Sequence, residues 1–319
     1  MFKIRTIRPD DFIKFEAEFS NLEYLKVFYS SPVSKISCIA QNCIPHYLRF
    51  IPSIHIAAEG KNILGFIILR YFSKANNSWQ IDNVYVTDEV REAGLGEELL
   101  RYAISVYGSH GVEHFLAEVD SINTNALSLF QQCGFRRFAK IHFYEKQINT
   151  TDETLSEWRT LDKNLLVRPQ TNNDLIELEK LDITATPPEL RAFLGKSREY
   201  FKEKKGASVL IDSSRNLIVG WCHLQNISEN KYLIELILSP GWTYLYEQFL
   251  NTLILDYLPE QTIITVKAPD YISELSDLLK KSGYLTVEMK EMLVKTVWQK
   301  VKERKTKLAK IGKPSIAPT

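Results

Sequence analysis

Cysteine is scarce in this chain: Cys38, Cys43, Cys133 and Cys222 are the four among 319 residues. So few, so scattered, exclude a disulfide-stapled scaffold and point to a reducing compartment. A cytoplasmic protein is expected. Cys38 and Cys43 have His46 and His55 nearby, but the spacing fits no standard zinc pattern, and no metal centre is expected. An excess of either charge is equally lacking. Lys and Arg number 40 against 39 Asp and Glu, a formal net charge of +1. That balance gives no electrostatic reason for a nucleic-acid or membrane partner. No apolar run approaches the ~18–20 residues of a spanning helix, and Met1-Phe2-Lys3-Ile4-Arg5 lacks a signal peptide's apolar core. Nucleotide signatures are missing too. No Gly-x-x-x-x-Gly-Lys-Ser/Thr occurs, and the third glycine of a Gly-x-Gly-x-x-Gly would fall at Leu99.

What is present is size and ordinary globular composition, 45% hydrophobic and 25% charged. A length of 319 exceeds what one core usually organises, so two domains are expected. One stretch stands out. Val84-Tyr85-Val86 reads as a short apolar strand, Arg91-Glu92-Ala93-Gly94-Leu95-Gly96 as a glycine loop, and the next residues as a helix with Leu99, Leu100, Ala103, Ile104 and Tyr107 at helical spacing. Glycines let the backbone approach a ligand closely. The first turn of a helix adds unpaired N–H groups and the positive end of a dipole. Together they suit a phosphate or pyrophosphate.

Around that stretch the elements alternate. Ile4–Ile7 reads as a strand, followed by a helix around Phe12–Phe19 opened by Asp10 and Asp11. Leu22–Pro52 is irregular and aromatic, read as paired helices or as a wall of a substrate pocket. Strands are expected at Ser53–Glu59, Ile63–Tyr71, Trp79–Val86, Phe115–Val119 and Arg136–Tyr144, with a helix at Ala126–Cys133 stopped by Gly134. Ile148–Glu153 reads as loop and Trp158–Leu161 as a last strand. The sum is an α/β chain with a mixed sheet and helices on both faces.

The second half repeats this plan. Leu165-Leu166-Val167-Arg168-Pro169 echoes Thr6-Ile7-Arg8-Pro9, Val219-Gly220-Trp221 echoes Leu64-Gly65-Phe66, and Ser282-Gly283-Tyr284 echoes Cys133-Gly134-Phe135. The separations are 160 for Arg8 and Arg168, 155 for Gly65 and Gly220, and 149 for Gly134 and Gly283. A smooth drift of this kind fits an internal duplication with loop indels. The copies differ where the glycine loop sits: the second half has Ser239-Pro240-Gly241-Trp242-Thr243-Tyr244, and bulky Trp242 and Tyr244 would bar a phosphate from the backbone. The expected domains are 1–164, 165–297 and a basic tail 298–319, read as a frayed end or a weak nucleic-acid arm.

With the strand, Arg91-Glu92-Ala93-Gly94-Leu95-Gly96 and the helix in place, the first half resembles the GNAT superfamily of acyl-CoA-dependent N-acetyltransferases. Its Arg/Gln-x-x-Gly-x-Gly/Ala signature is matched at every defined position. A second element, Asn123-Thr124-Asn125-Ala126 through Phe130 to Gly134-Phe135, is similar to the family's Asn-x-x-Ala-x-x-x-Tyr-x-x-x-Gly-Phe. The resemblance covers 1–164 well and 165–297 in outline, like tandem GNAT proteins with one degenerate copy. It implies a duplicated, mostly antiparallel mixed sheet flanked by helices. It also implies acetyl-CoA as cofactor, an amine of unknown identity as substrate, and a monomer or homodimer.

The resemblance further implies that the coenzyme A pyrophosphate lies on Arg91, Glu92, Ala93, Gly94, Leu95 and Gly96. The pantetheine arm would pair with Val84, Tyr85 and Val86, whose backbone would polarise the thioester carbonyl. Asn123 would hydrogen-bond the cofactor. Glu118 would be the general base, or else an outward-facing strand residue. Phe130 stands where the family often has a Tyr that protonates the leaving thiolate; Phe keeps the shape but has no proton to give. Tyr144 is the candidate substitute, or simply a strand aromatic. Transfer to an amine is therefore expected, and a non-catalytic acyl-CoA-binding regulatory module is the alternative.

Overall fold

In the first half, β1 (Lys3–Thr6), β2 (Ser53–Glu59), β3 (Asn62–Ser73), β4 (Ser78–Val86), β5 (His114–Asp120) and β6 (Arg136–Asn149) are interleaved with α1 (Pro9–Phe19), α2 (Leu95–Ser109) and α3 (Thr124–Gln132). The second half runs β7 (Leu165–Pro169), α4 (Leu175–Ala185), α5 (Pro188–Leu194), α6 (Arg198–Glu203), β8 (Ala207–Asp212), β9 (Leu217–Ser228) and β10 (Lys231–Leu238). It closes with α7 (Tyr246–Tyr257), β11 (Gln261–Pro269), α8 (Ser273–Lys281) and β12 (Leu285–Thr296). The computed structural model describes residues 2–19, 53–60, 62–73, 77–91, 93–149, 161–259 and 261–298. The expectations over Leu22–Pro52, over Trp158–Thr160 and over the tail past Trp298 lie outside these residues.

All twelve strands form one sheet in the order β1-β2-β3-β4-β5-β12-β6-β11-β10-β9-β8-β7. Only β4–β5 and β10–β11 are parallel, so the sheet is mixed and mostly antiparallel, as expected. The halves do not keep their last strands to themselves. β12 of the second half lies between β5 and β6 of the first, and β6 in turn pairs with β11. The registers match: Glu118 opposes Met292 and Lys267 opposes Phe143, each second-half residue standing 149 positions after its counterpart, as Gly283 does after Gly134. The pair Ile141–Lys290, also 149 apart, marks the local pseudo-two-fold. This exchange explains why β6 runs on to Asn149 where a loop was expected from Ile148. Ile148 is buried at 4% exposure in the core of the second half, a partner its local sequence does not display.

Helices cover both faces. Leu99, Leu100, Ala103 and Tyr107 of α2 share a core with Leu127 of α3 and with Ala57, Ile67, Phe115 and Ala117 of the sheet. Phe15 and Phe19 of α1 pack on the other face against Ile54, Ile56, Phe66 and Ile68, with Phe15 edge-on to Phe66 at 4.9 Å. In the second half, α7 and α8 bury Phe249, Leu253, Leu275 and Leu279 with Ile234, Ile264 and Val266. Leu190, Phe193 and Leu194 of α5 cross to the first half and pack on Leu116, Ala139 and Ile141. Lys295 of β12 also donates to the Cys133 carbonyl at the end of α3. Each half therefore completes the other.

The duplication is visible in structure with one correction of register. Arg168 forks onto Asp174 at 2.8 and 2.7 Å, and Arg5, not Arg8, makes the same clamp onto Asp11. Arg5 opposes Ile56 as Arg168 opposes Val209, so the true separation there is 163. What recurs is an arginine reaching six residues on to the carboxylate that opens the next helix; the shared Arg-Pro dipeptide is incidental. The glycine echo is correct. Gly65 passes 2.7 Å from the Tyr85 carbonyl at its would-be Cβ, and Gly220 passes 2.5 Å from Leu238, so neither strand has room for a side chain.

Candidate active site

β4 and β5 are paired only from Ser78–His114 to Ile81–Ala117. Beyond that point Asp82 is an extra residue in the β3–β4 ladder, between the Leu69–Ile81 and Ile68–Asn83 pairs. A bulge bends the strand that carries it, and here it turns β4 away from β5. The Tyr85 carbonyl points at Gly65, and the Thr87 amide donates to Leu64 at 2.9 Å. Alternate residues of a strand direct their main-chain groups to opposite sides. The main-chain groups of Val84 and Val86 therefore face the gap.

The glycine loop closes one end of that gap. Gly94 holds φ at +83°, a conformation that L side chains rarely adopt, and it is the N-cap of α2. It brings no capping side chain, so the first N–H groups of Leu95, Gly96 and Glu97 have no acceptor within the helix. A Cβ on Gly96 would lie 3.1 Å from Leu129 of α3, which keeps α2 and α3 close beneath the loop. Val84, Tyr85, Val86, Arg91, Gly94, Leu95, Gly96 and Asn123 all line a cleft of about 660 Å³. Arg91 is paired with Asp88 at 2.7 Å, and Glu97, the one acid in the lining among the described residues, is neutralised by Arg101 at 2.6 Å. Uncapped amides and main-chain groups facing a long cleft fit a pyrophosphate joined to an amide-bearing arm, which is the chemistry of coenzyme A.

The remaining predicted residues separate. Ala93 is exposed in the loop, and Glu92 lies outside the described residues. Asn123 spends its side-chain carbonyl on the Ala126 amide at 3.0 Å, capping α3 at the rim of the cleft. Phe130 does not line the cleft. It is buried at 5% and meets Phe135 edge-on at 5.0 Å in the core under α2. Tyr144 does not border it either. It is 1% exposed in the core under α7, because β12 separates β6 from β5.

Glu118 is the first β5 residue past the last β4–β5 pair, on the face away from α2. Lys267 of the second half reaches it at 3.1 Å. Burial pushes the Glu118 carboxyl up, but Lys267, with Lys290 and Arg70 beyond it, brings it below the usual carboxylate range. Asp82 goes the other way. Burial raises its carboxyl, Arg70 at 2.8 Å opposes, the Glu118 charge adds, and the net is upward. Further along, Glu235 accepts the Tyr200 hydroxyl at 2.8 Å and meets Lys196 at 3.2 Å and Lys204 at 3.7 Å. Burial opposes the ionised form of Glu235, but the three lysines Lys196, Lys267 and Lys204 hold its carboxyl far below the ordinary value. Asp82, Arg70, Lys196, Tyr200, Glu235 and Lys267 were not predicted. Aligning the halves on Gly134 and Gly283 would have placed Lys267 opposite Glu118; nothing in the sequence marks the others.

Residues 20–135 match the model of the Acetyltransferase (GNAT) family. No curated protein matches the chain by sequence. Among solved structures, it is similar to a tandem GNAT protein from the clavulanic acid biosynthesis pathway, at 10% identity and TM-score 0.58, over 94% of this chain and 100% of that one. A GCN5-related N-acetyltransferase from Sphaerobacter thermophilus aligns at 13% identity and TM-score 0.54, over 92% and 95%. The glucosamine N-acetyltransferase region of a fungal multi-domain beta-N-acetylglucosaminidase aligns at 12% and 0.61, over 92% of this chain and 38% of that one. At such identities the likeness speaks for the fold alone. Its span is nonetheless the whole described chain, with both halves included. Residues 20–135 thus match the GNAT acetyltransferase model, and the chain as a whole has the fold of tandem GNAT proteins.

Proposed function

We propose that the chain transfers an acetyl group from acetyl-CoA to a primary amine, with the first half as the catalytic half. The observation that carries this reading is the split between β4 and β5, with uncapped α2 amides at one end and a carboxylate, Glu118, at its apex. The amides of Leu95, Gly96 and Glu97 would hold phosphate oxygens, and Val84 and Val86 would offer main-chain groups to an extended amide arm. Acetyl-CoA, when bound, supplies an acetyl group on a thioester with a good leaving thiol. An ammonium has no lone pair, so the acceptor must lose a proton before it can attack. Glu118, kept ionised by Lys267, is the group placed to take that proton. Phe130 and Tyr144 are core rings and take no part. With free buried thiols at Cys133 and Cys222 and no helix of the described residues long and apolar enough to cross a membrane, we place the protein in the cytoplasm.

The test is direct: calorimetry with coenzyme A, then free-thiol release from acetyl-CoA across an amine panel. Binding together with amine-dependent release is expected. Binding without release on any amine would replace this reading by a non-catalytic acyl-CoA module. Absence of binding would overturn both.

A further inference from the structure

On the side of the sheet away from α2 and α3, the two halves enclose a second cavity. Its floor comes from β5, β6, β10, β11 and β12, and its roof from α4, α5 and α6. It holds about 90 Å³, several times the ~10–15 Å³ one water needs. Glu118 lines it. That carboxylate is also the first β5 residue past the β4–β5 pairing, so the cavity reaches the split from the face opposite the cofactor cleft.

Three features restrict what this space accepts. Its body is apolar and aromatic, with Phe72, Phe138, Leu194, Tyr271 and Met292 among the lining residues. Its ionic groups are already engaged: Lys196 holds Glu235 at 3.2 Å and Asp182 at 3.6 Å, and Lys267 holds Glu118. An anionic ligand would have to share one of these lysines with a carboxylate it already holds. Finally, the lining carries three carboxylates (Glu118, Asp182, Glu235) against two ammonium groups, Lys196 and Lys267. Lys204 also meets Glu235 at 3.7 Å, so the charges balance, and Glu118 is the most exposed of the three carboxylates toward a further cation. Glu118, with its side chain 26% exposed and a single ion-pair contact at 3.1 Å, has the lone pairs to receive it.

We propose that this inter-half cavity is the acceptor site, and that it takes a small primary amine with one positive charge and an apolar body, its nitrogen at Glu118. The inference rests on the acetyl-transfer reading above. It gives the second half a role, since that half supplies most of the walls around the acceptor. Polyamines carry charges that the apolar lining cannot solvate. Amino acids bring a carboxylate that would have to compete with Glu118, Asp182 or Glu235 for a lysine of the lining. A peptide is too large for a space walled on both sides by the sheet and α4–α6.

The experiment uses the full chain. Thiol release is compared for 2-phenylethylamine, phenylalanine, spermidine and a lysine-containing peptide, and 2-phenylethylamine binding is measured by calorimetry with coenzyme A present. A kcat/KM for 2-phenylethylamine at least tenfold above the other three is expected. Leu194→Trp, which fills the cavity, should raise its KM at least tenfold with coenzyme A affinity unchanged. Leu194→Phe should do so more mildly and guards against misfolding of the larger variant. Preference for spermidine, phenylalanine or the peptide would overturn the assignment, as would a KM unmoved in both variants. If coenzyme A binds but no amine releases thiol, the acetyl-transfer reading is what fails. Calorimetry then still decides the cavity: 2-phenylethylamine binding lost in Leu194→Trp supports it, and no binding to the parent chain overturns it.

Discussion

The two halves are built on one register and diverge at two places. In the first half Asp82 is an extra residue, the β4–β5 ladder stops at Ile81–Ala117, and a glycine loop follows. In the second half the corresponding ladder has no bulge there and continues one pair further, through Ile234–Val266 to Glu235–Lys267. A 3-10 turn, Pro240–Leu245, then stands where the glycine loop would be, with Trp242 packed against the core. The sheet alone therefore does not make a cofactor site. A bulge that opens the strands and a helix start with bare amides make the proposed one, and the second copy has neither. The halves differ again at one equivalent position, Glu118 in one and Lys267 in the other, and these two side chains meet as an ion pair. The second copy has no carboxylate there; it offers the cation that keeps Glu118 charged.

That comparison can be broken most sharply at the loop. Gly94→Val forces a β-branched residue to φ near +83° at the N-cap of α2. Coenzyme A affinity should fall at least 100-fold by calorimetry while the circular dichroism spectrum is kept; full affinity would show that the loop is not the phosphate site. Deleting Asp82 gives the first half the second half's regular ladder. A loss of affinity of about tenfold or more is expected, since the strands would close, and unchanged binding would remove the bulge from the explanation.

Lys267→Met tests the ion pair. With the cation gone, burial acts on Glu118 unopposed by its nearest partner. The acid limb of the kcat/KM profile should then move to higher pH by about 1 unit, and Lys267→Arg should restore it. An unmoved limb would detach Glu118 from proton transfer.

The shared arginine clamp gives a smaller, thermodynamic effect. The Arg168 hydrogen bonds hold Asp174 down to about 2, against an ordinary 3.8. A carboxyl depressed on folding adds stability that is complete above its unfolded value and is lost as pH falls toward the folded one. Thr171 also hydrogen-bonds Asp174, so Arg168→Ala should cost about 1 kcal/mol at neutral pH and much less near pH 2, read from urea midpoints. An equal loss at both pH values would assign the effect to packing. Least of all should follow from Tyr144→Phe. Its buried hydroxyl has no hydrogen-bond partner among the described residues, so stability should change by no more than ~0.5 kcal/mol and turnover not at all. A collapse in turnover would return Tyr144 to the site.

Much of this was legible beforehand because it depends on local pattern. Alternation and helical spacing marked the strands and helices of the first half, and in the second half the echoes at Leu165–Pro169, Gly220 and Gly283 marked the repeat of that plan. The loop Arg91–Gly96 pointed to an anion site through residue types alone. Misreadings arose wherever a partner came from far along the chain. Ile148 looked like loop because the core that buries it belongs to the other half. Tyr144 looked near the cleft because nothing local reports that β12 will insert beside β5. Phe130 matched a functional motif position, yet its ring points into the core.

By itself, then, the sequence determined the element order of the first half, the duplication and the place of the glycine loop, because hydrophobic period and glycine placement act over a few residues. Only the tertiary structure decided where the halves meet. Strand exchange brings together residues 149 apart, and a contact over that distance leaves no trace in local spacing. The salt bridge from Lys267 to Glu118 and the cavity between the halves exist only once the sheet has closed. The stretch Val84–Gly96 says that a cofactor can be held; the partner half says what surrounds the place where its acetyl group would be used.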